Sequence, residues 1–156
     1  MGNTGLEKAL EETLAVFEWL CKEGKNNIDS DENGIIIKEE NVKIKLVLPI
    51  LKCLGWDIIK DIDFEFSIVP KFIDIEHFKE RKVRVDCCFM KNGKPVLLLD
   101  VKAFKNKSKI DKESELQLKS YCISKNIPCG VITDGFRWVL YGFFAGKVDA
   151  DIETSN

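Results

Sequence analysis

Three charged residues, Asp86, Asp100 and Lys102, have the types and the spacing from which a hydrolytic metal site can be built. On a strand, side chains at i and i+2 lie on one face, so Asp100 and Lys102 point the same way, about 6–7 Å apart along the backbone. Two carboxylates aimed at one point repel each other unless a cation lies between them. Mg²⁺ needs only one or two protein carboxylates besides water, and a nearby lysine can orient a nucleophilic water.

Two strands joined by a tight turn would position these residues. Asn92-Gly93 indicates the turn, because both residues tolerate positive φ. The apolar run Val96–Leu99 is typical of a strand that is buried on both faces. If the hairpin closes at this turn, Asp86 lies roughly opposite Asp100–Lys102, and two carboxylates and one ammonium meet at the end of a buried strand. The spacing alone leaves open that all three are solvated charges beside a core strand.

Length and composition are typical of one globular domain with a sizeable core: 156 residues, of which 45% are hydrophobic and 32% charged. No apolar run is long enough for a transmembrane helix, and the N-terminus lacks the apolar stretch of a signal peptide. The 6 cysteines form no Cys-x-x-Cys pair, which indicates reduced core thiols in a cytoplasmic protein. With His77 as the single histidine, the ligand spacing of a zinc site is absent.

Charge is unevenly distributed along the chain. The net charge of −2 argues against charge-driven, non-specific coating of DNA. The first 40 residues hold 10 acids against 4 bases, and the rest of the chain holds 16 acids against 20 bases. Within the lysine-rich stretch 102–112, we expect three side chains to contact a phosphate backbone: Lys105, Lys107 and Lys109. An ordinary solvated loop is the alternative for this stretch.

Hydrophobic periodicity divides the rest of the chain into helices and strands. Helices are predicted over about 4–22, 39–54 and 112–126, with a kink at Pro49 and an end at Gly55 in the second. Helices followed by strands, and a strand–helix–strand crossover, predict an α/β fold with a mixed central sheet and helices on both faces. The remaining expected segments are a polar linker (25–34), a strand within 58–69, a charged connection (70–82), two strands (129–133 and 137–144) and a polar tail (146–156).

Each helix carries an apolar stripe that we expect to face the core. The stripe recurs at steps of three and four residues, the spacing that keeps side chains on one helix face. The stripes consist of Leu6, Leu10, Leu14, Phe17 and Cys21 in the first helix, Val42, Leu46, Ile50 and Leu54 in the second, and Leu116, Cys122 and Ile123 in the third.

The order Asp86, then Asp100-Val101-Lys102, then Gln117-x-x-x-Tyr121 resembles the PD-(D/E)xK nuclease superfamily. Within that superfamily, the chain resembles the N-terminal nuclease domain of the DNA-cleaving (R) subunit of type I restriction enzymes. The acid–x–lysine motif alone has little specificity, whereas the ordered set is fairly specific.

The likeness extends beyond this motif. Residues 40–57, which end in Leu-Gly-Trp-Asp, resemble the family's opening helix, and residues 130–138 resemble its closing strands. The resemblance implies a single domain with a restriction-endonuclease-like fold. Its nuclease core would span 39–144, preceded by a helix and polar linker (1–38) and followed by a flexible tail (145–156).

The resemblance also implies a role for each motif residue. Asp86 and Asp100 would bind Mg²⁺, with Mn²⁺ as a substitute. Lys102 would position the attacking water. Gln117 and Tyr121 would support the site or touch DNA.

The opening helix implies one more acid in the site. Glu40 would be this outer acid, with Glu39 an equal candidate because the sequence does not decide the register. One departure from the family is the aspartate at position 100, where the R-subunit domain usually has glutamate; a shorter carboxylate changes the reach toward a metal. The larger departure is that the sequence contains no Gly-x-x-x-x-Gly-Lys-Ser/Thr phosphate loop and no room for a helicase motor.

We therefore expect a Mg²⁺-dependent DNA endonuclease of restriction–modification type that lacks the helicase motor. It would be a stand-alone domain, a fragment, or a module that works with partners. The expected partners are DNA, restriction–modification subunits supplied in trans, and a second copy of the chain, with no membrane. The alternative is a non-catalytic module of the same fold that binds DNA or a protein, and RNA as the substrate also stays open.

Overall fold

The computed structural model describes residues 4–22, 28–31, 34–68, 83–144 and 147–154, and the charged connection expected over 70–82 lies outside them. The elements in chain order are α1 (Thr4–Lys22), β1 (Ile28–Asp31), β2 (Gly34–Ile37), α2 (Glu39–Asn41), a π-helical segment (Val42–Val47), α3 (Leu48–Cys53), β3 (Ile62–Ile68), β4 (Val83–Lys91), β5 (Lys94–Val101), β6 (Phe104–Lys105), α4 (Lys112–Lys125), β7 (Cys129–Thr133), β8 (Trp138–Phe144) and β9 (Lys147–Thr154). None of the helices in these ranges is long and apolar enough to span a membrane.

The chain divides into two compact units, each assembled from separate stretches of sequence. Unit 1 holds α1 to α3 and a three-stranded sheet; unit 2 holds α4 and a six-stranded sheet. Unit 1 comprises Met1–Lys60, Val101–Lys109 and Asp134–Phe136, and unit 2 comprises Asp61–Asp100, Ile110–Thr133 and Arg137–Asn156.

The small sheet of unit 1 has the order β1–β2–β6, with both neighbouring pairs antiparallel. Strands β1 and β2 form a hairpin where the sequence predicts a polar linker. Ile35, Ile36 and Ile37 are β-branched and favour extended backbone, and they outweigh the polar composition of the preceding residues.

Helix α1 forms over the predicted residues but buries a different face from the predicted one. Leu10 and Leu14 are 47% and 52% exposed, whereas Thr13 and Leu20 are buried. Helix α1 packs against the π-helical segment and α3, and the side chains on that side are the ones removed from water. The predicted stripe is therefore wrong for these two leucines, although the helix itself is confirmed.

The second predicted helix forms as α2, the π-helical segment and α3 in succession. Pro49 has no N–H to donate and its ring clashes with the preceding turn, so α3 starts afresh around it and the helix opens upstream. The helix ends at Gly55, whose φ is 94°. Gly55 N donates to Lys52 O at 3.1 Å and Trp56 N donates to Leu51 O at 3.2 Å, the Schellman arrangement for a helix end.

The sheet of unit 2 has the order β3–β4–β5–β7–β8–β9. The pairs β3–β4, β4–β5, β7–β8 and β8–β9 are antiparallel. The sheet is mixed, so the remaining pair, β5–β7, is parallel. Helix α4 lies on the crossover between these two strands and packs against β7 and β8. The predicted α/β class with a mixed sheet is confirmed.

The predicted hairpin around Asn92-Gly93 forms as β4 and β5. Asn92 and Gly93 have φ values of 53° and 73°, as a two-residue type I′ turn requires. Lys91 and Lys94 flank the turn as paired residues. The two strands are therefore joined in the register that the turn sequence predicts as far as Met90↔Pro95, and the register shifts by one residue between Phe89 and Met90.

Strand β9 occupies part of the predicted flexible tail. It pairs with β8 from Phe144↔Lys147 to Trp138↔Thr154. In the sequence, Val148, Ala150 and Ile152 alternate with acidic residues, a period of two that favours a strand. This alternation outweighs the overall polarity of the segment.

Helix α4 buries Leu118, Tyr121 and Cys122 in the apolar cluster of unit 2. Of the predicted stripe, only Cys122 is buried; Leu116 is 65% exposed and Ile123 is also exposed. The helix begins at the N-cap Asp111, which accepts a hydrogen bond from Ser114 N at 2.7 Å. The cluster consists of Ile68, Val85, Cys88, Leu98, Leu118, Tyr121, Cys122, Ile127, Ile132 and Tyr141.

Candidate functional site

The β4–β5 ladder ends beside Asp86 and Asp100. After a one-residue shift between Phe89 and Met90, its last pair at this end is Cys87↔Leu99. Asp86 and Asp100 are the next residue on each strand, and neighbouring strands lie about 4.7–4.9 Å apart. The two acids therefore lie close together on adjacent strands.

This pair of carboxylates is partly removed from water. Asp86 is 8% exposed, and Asp100 is partly exposed. Two such groups repel each other, and burying each of them costs free energy unless it is compensated. A divalent cation offsets both costs, and because Mg²⁺ needs no more than two protein carboxylates, this donor pair fits it. Among the described residues, no group of three or more His, Cys, Asp or Glu side chains is placed to hold a metal ion.

Helix α4 covers the side of the sheet on which Cys88 and Leu98 are buried, each two residues from one of the acids. Cys88 lies close enough to Cys122 of α4 to raise the pKa of that thiol. Tyr121 is buried in the same apolar cluster, whereas Gln117, one helical turn earlier, is exposed. The fold thus buries Tyr121 in the apolar cluster and leaves Gln117 in water.

Lys102 follows β5 directly, two residues beyond Asp100. Covalent geometry keeps the two Cα atoms within about 7 Å. Strand β5 ends at Val101, so Lys102 lies outside the strand. The alternation of side chains along a strand therefore does not fix the direction of Lys102 relative to Asp100. The boundary between the units also falls between Asp100 and Val101. The convergence of Lys102 on the carboxylates therefore stays a prediction.

Glu40 lies on α2 in unit 1, where its Oε1 accepts a hydrogen bond from Lys43 Nζ at 3.1 Å. Glu39 is exposed beside it. Lys43 is buried in the π-helical segment, where an ammonium needs an acidic partner. The sequence analysis does not single out Lys43, although a basic residue three positions after an acid on a helix indicates such a pair.

The three predicted DNA-contacting lysines are exposed in unit 1, Lys105 on β6 and the others on the loop that follows. Asn106 anchors this loop to β2. Its backbone N donates to Ile35 O at 3.2 Å, and its Oδ1 accepts from Ile35 N at 3.0 Å. The lysines Lys105, Lys107 and Lys109 thus lie on a tethered segment whose side chains reach solvent, as contact with a phosphate backbone requires.

The motif order and the hairpin register are the observations that bear on the family of this chain. No family model, curated protein or solved structure matches it. The resemblance to PD-(D/E)xK nucleases, and with it the restriction-endonuclease-like form of the fold, therefore continues as a proposal.

The thiols of Cys88 and Cys122, both buried in unit 2, are protonated at neutral pH. Burial, with a smaller contribution from Asp63, raises the pKa of Cys88 to about 11. Burial, followed by the nearby Cys129 and Cys88, raises the pKa of Cys122 to about 12. Because the thiolate is the nucleophile and the metal ligand, these two cysteines act as apolar core residues.

Replacing Cys122 by alanine should reduce the slope with which the unfolding free energy falls as the pH rises above about 9. The pKa of this thiol rises from 9.0 in the unfolded chain to about 12 in the folded protein. Its contribution to the unfolding free energy is therefore complete below about pH 9 and is lost as the pH rises toward 12. Wild-type protein should lose up to about 1.4 kcal/mol of unfolding free energy per pH unit more than the variant in that window. Urea unfolding at several pH values measures both slopes, and parallel slopes would contradict the raised pKa.

Proposed function

We propose that this protein is a Mg²⁺-dependent DNA endonuclease that hydrolyses phosphodiester bonds. In form it would be related to the N-terminal nuclease domain of type I restriction R subunits, without the helicase motor. The observation that carries the proposal is the closeness of Asp86 and Asp100, which follow the last pair of the β4–β5 ladder on adjacent strands. Two neighbouring carboxylates, one of them 8% exposed, are a donor pair of the kind that Mg²⁺ binds.

In this proposal Asp86 and Asp100 hold Mg²⁺, which when bound supplies a Lewis acid at the scissile phosphate. Lys102 orients a water molecule that gives up a proton to bulk water; its oxygen bonds to phosphorus as the bond from phosphorus to the leaving oxygen breaks, and that oxygen takes up a proton from bulk water. The ammonium also offsets charge that grows on the phosphate oxygens. On α4, Tyr121 supports the site and Gln117 touches DNA.

Unit 1 would supply the remaining contacts. Glu40, held by Lys43 at 3.1 Å, would act as the outer acid. The exposed lysines of the tethered loop would bind the DNA backbone, which positions a substrate without reading its sequence. These are Lys105, Lys107 and Lys109.

Nicking of supercoiled plasmid by the purified wild-type chain tests the proposal. We expect relaxed and linear products with Mg²⁺ or Mn²⁺ and none with excess chelator. Calorimetric titration with Mg²⁺ in the absence of DNA should show heat of binding. Neither nicking nor binding heat with either metal would refute the proposal, and cleavage of RNA but not of DNA of the same sequence would reassign the substrate.

The second candidate is a non-catalytic module that binds DNA or a protein, such as restriction–modification subunits supplied in trans. It is favoured by the unit boundary inside the Asp100–Lys102 motif and by the net charge of −2. Under this alternative, Mg²⁺ produces no heat, and Asp86→Asn leaves DNA binding unchanged. A second copy of the chain would be needed for concerted two-strand cleavage, and a cytoplasmic location would suit either function.

A further inference from the structure

Phe136 has an exposed aromatic ring that packs against two other aromatic rings, those of Phe17 and Phe104. Its side chain is 51% exposed. Its ring stacks on Phe17 at a centroid distance of 5.9 Å and an interplanar angle of 28°, and meets Phe104 at 6.2 Å and 68°. Single exposed apolar residues are common, so exposure alone would mean little. The Phe136 ring differs from a single exposed apolar residue because two neighbouring rings pack against it.

The turn that carries Phe136 is fixed by packing as well as by hydrogen bonding. Asp134, itself 1% exposed, accepts a hydrogen bond from Phe136 N through Oδ1 at 3.1 Å. Gly135 has a φ of 86°, and a Cβ added there would lie 2.9 Å from Leu46 Cδ1 and 3.0 Å from Val42 Cγ1. Only glycine fits this conformation and this space. The ring is thus presented in a set orientation, with little conformational entropy left to lose on binding.

Three lysines follow Phe104 of this aromatic cluster closely in the sequence, within the same unit. Phe104 is followed by Lys105 on β6, and the tethered loop continues with Lys107 and Lys109, all three lysines being exposed. Proteins bind unpaired nucleic acid strands with solvent-exposed aromatic rings and nearby ammonium groups. A base stacks on the ring while the cations follow the backbone.

We propose that Phe136 stacks on an unpaired DNA base, so that unit 1 recognises single-stranded DNA or DNA with a frayed or extruded base. The proposal rests on the proposed function in that DNA is the ligand, and it goes further by naming the class of DNA. In a fully paired duplex each base already stacks on its neighbours and offers the ring no free face. Phe136 therefore carries the preference for unpaired DNA, whereas the lysines add affinity for paired and unpaired DNA alike.

Fluorescence anisotropy with Ca²⁺ in place of Mg²⁺ measures this preference without cleavage. The probes are a single strand, its fully paired duplex, and the same duplex with one unpaired adenine. Phe136→Leu keeps an apolar side chain in the cluster but removes the aromatic face. We expect it to weaken binding to the two unpaired probes by roughly 5- to 100-fold and to leave the duplex affinity close to that of wild type.

Two matched variants serve as controls. Phe64→Leu changes an equivalent exposed ring, 40% exposed on β3 of unit 2, and should bind every probe like wild type. Phe136→Trp restores an aromatic face and should retain the preference. With 2-aminopurine at the unpaired position, wild type and Phe136→Trp should quench its fluorescence by stacking, and Phe136→Leu should not.

Replacing the three lysines by glutamine separates charge from stacking. The triple variant should bind all probes more weakly, and its slope of log affinity against log salt on the single strand should fall by about 2, since each phosphate contact contributes about 0.7. Quenching at saturation should persist, because the ring is unchanged. The residues replaced are Lys105, Lys107 and Lys109.

Equal binding of wild type and Phe136→Leu to the unpaired probes would overturn the inference. An equal loss on all three probes would also overturn it, because that pattern reports a disturbed fold, which thermal unfolding detects. A clear preference for an RNA strand of the same sequence would overturn the choice of DNA. If wild-type protein nicks plasmid but Phe136→Leu changes no affinity, only this inference fails. If the ring stacks on unpaired DNA but wild-type protein does not nick plasmid, the endonuclease proposal fails and unit 1 remains a DNA-binding unit.

Discussion

Asp100→Asn should lower the rate of Mg²⁺-dependent plasmid nicking by about 100- to 1000-fold or more. Asparagine keeps the shape of the side chain and removes its charge, so one carboxylate instead of two would face the cation across the β4–β5 hairpin. Lys102→Ala should cause a loss of similar size, because water would no longer be oriented and the charge on the phosphate would no longer be offset. Lys102→Arg should recover only part of the rate, since a planar guanidinium cannot take the place of a compact ammonium.

Two exposed residues of unit 2 provide charge-matched controls for these substitutions. Glu113→Gln, in the first turn of α4, removes one negative charge, and Lys91→Ala, beside the hairpin turn, removes one positive charge. Both should nick plasmid at the wild-type rate. Equal residual nicking in wild type, Asp100→Asn and Lys102→Ala would trace the activity to a contaminating nuclease and contradict the assigned site.

Stabilisation by Mg²⁺ should depend on both neighbouring carboxylates. A ligand that binds only the folded state adds about 2.7 kcal/mol to the unfolding free energy at a concentration 100 times its Kd. Wild-type protein should show this gain, whereas Asp86→Asn and Asp100→Asn should each lose most of it at the same Mg²⁺ concentration. The metal-dependent difference is informative because any effect of the substitution on the metal-free fold cancels in it.

Urea unfolding with chelator and with Mg²⁺ gives the two free energies for each variant. Glu113→Gln should keep the full wild-type gain, since its carboxylate lies outside this pair. A wild-type protein that gains nothing from Mg²⁺ would favour the non-catalytic module. An Asp86→Asn variant that gains as much as wild type would place any metal site elsewhere in the chain.

The hairpin that carries the two acids could be predicted because its determinants are local. Asn92-Gly93 sets the turn through its φ preferences, and the turn sets which residues pair next to it. That register brings Asp86 only roughly opposite Asp100–Lys102, and the one-residue shift between Phe89 and Met90, which the turn does not encode, decides the pairing beyond it. The end of helix α3 at Gly55 was predictable for the same reason, since the residues that form the cap are neighbours in sequence.

The buried faces of the helices could not be predicted as well. In α1 the leucines at 10 and 14 are exposed, and in α4 Leu116 is exposed while Leu118 is buried. Apolar residues occur on more than one side of each helix, and only the neighbour that packs on the helix selects the side that leaves water. The ion pair of Glu40 with the buried Lys43 is a similar case, because burial of the lysine depends on its surroundings.

By itself the sequence determined the three long helices, the mixed α/β class and the hairpin that brings the acids at 86 and 100 near each other, because helix period, strand period and turn chemistry act over a few residues. Only the tertiary structure decided that α4 packs against β7 and β8, that the segment expected as a tail extends the sheet as β9, and that Phe136 is 51% exposed on a packed turn. These features depend on contacts between residues that are far apart in the chain. Such contacts are selected by the fit of whole surfaces, which no short stretch of sequence contains.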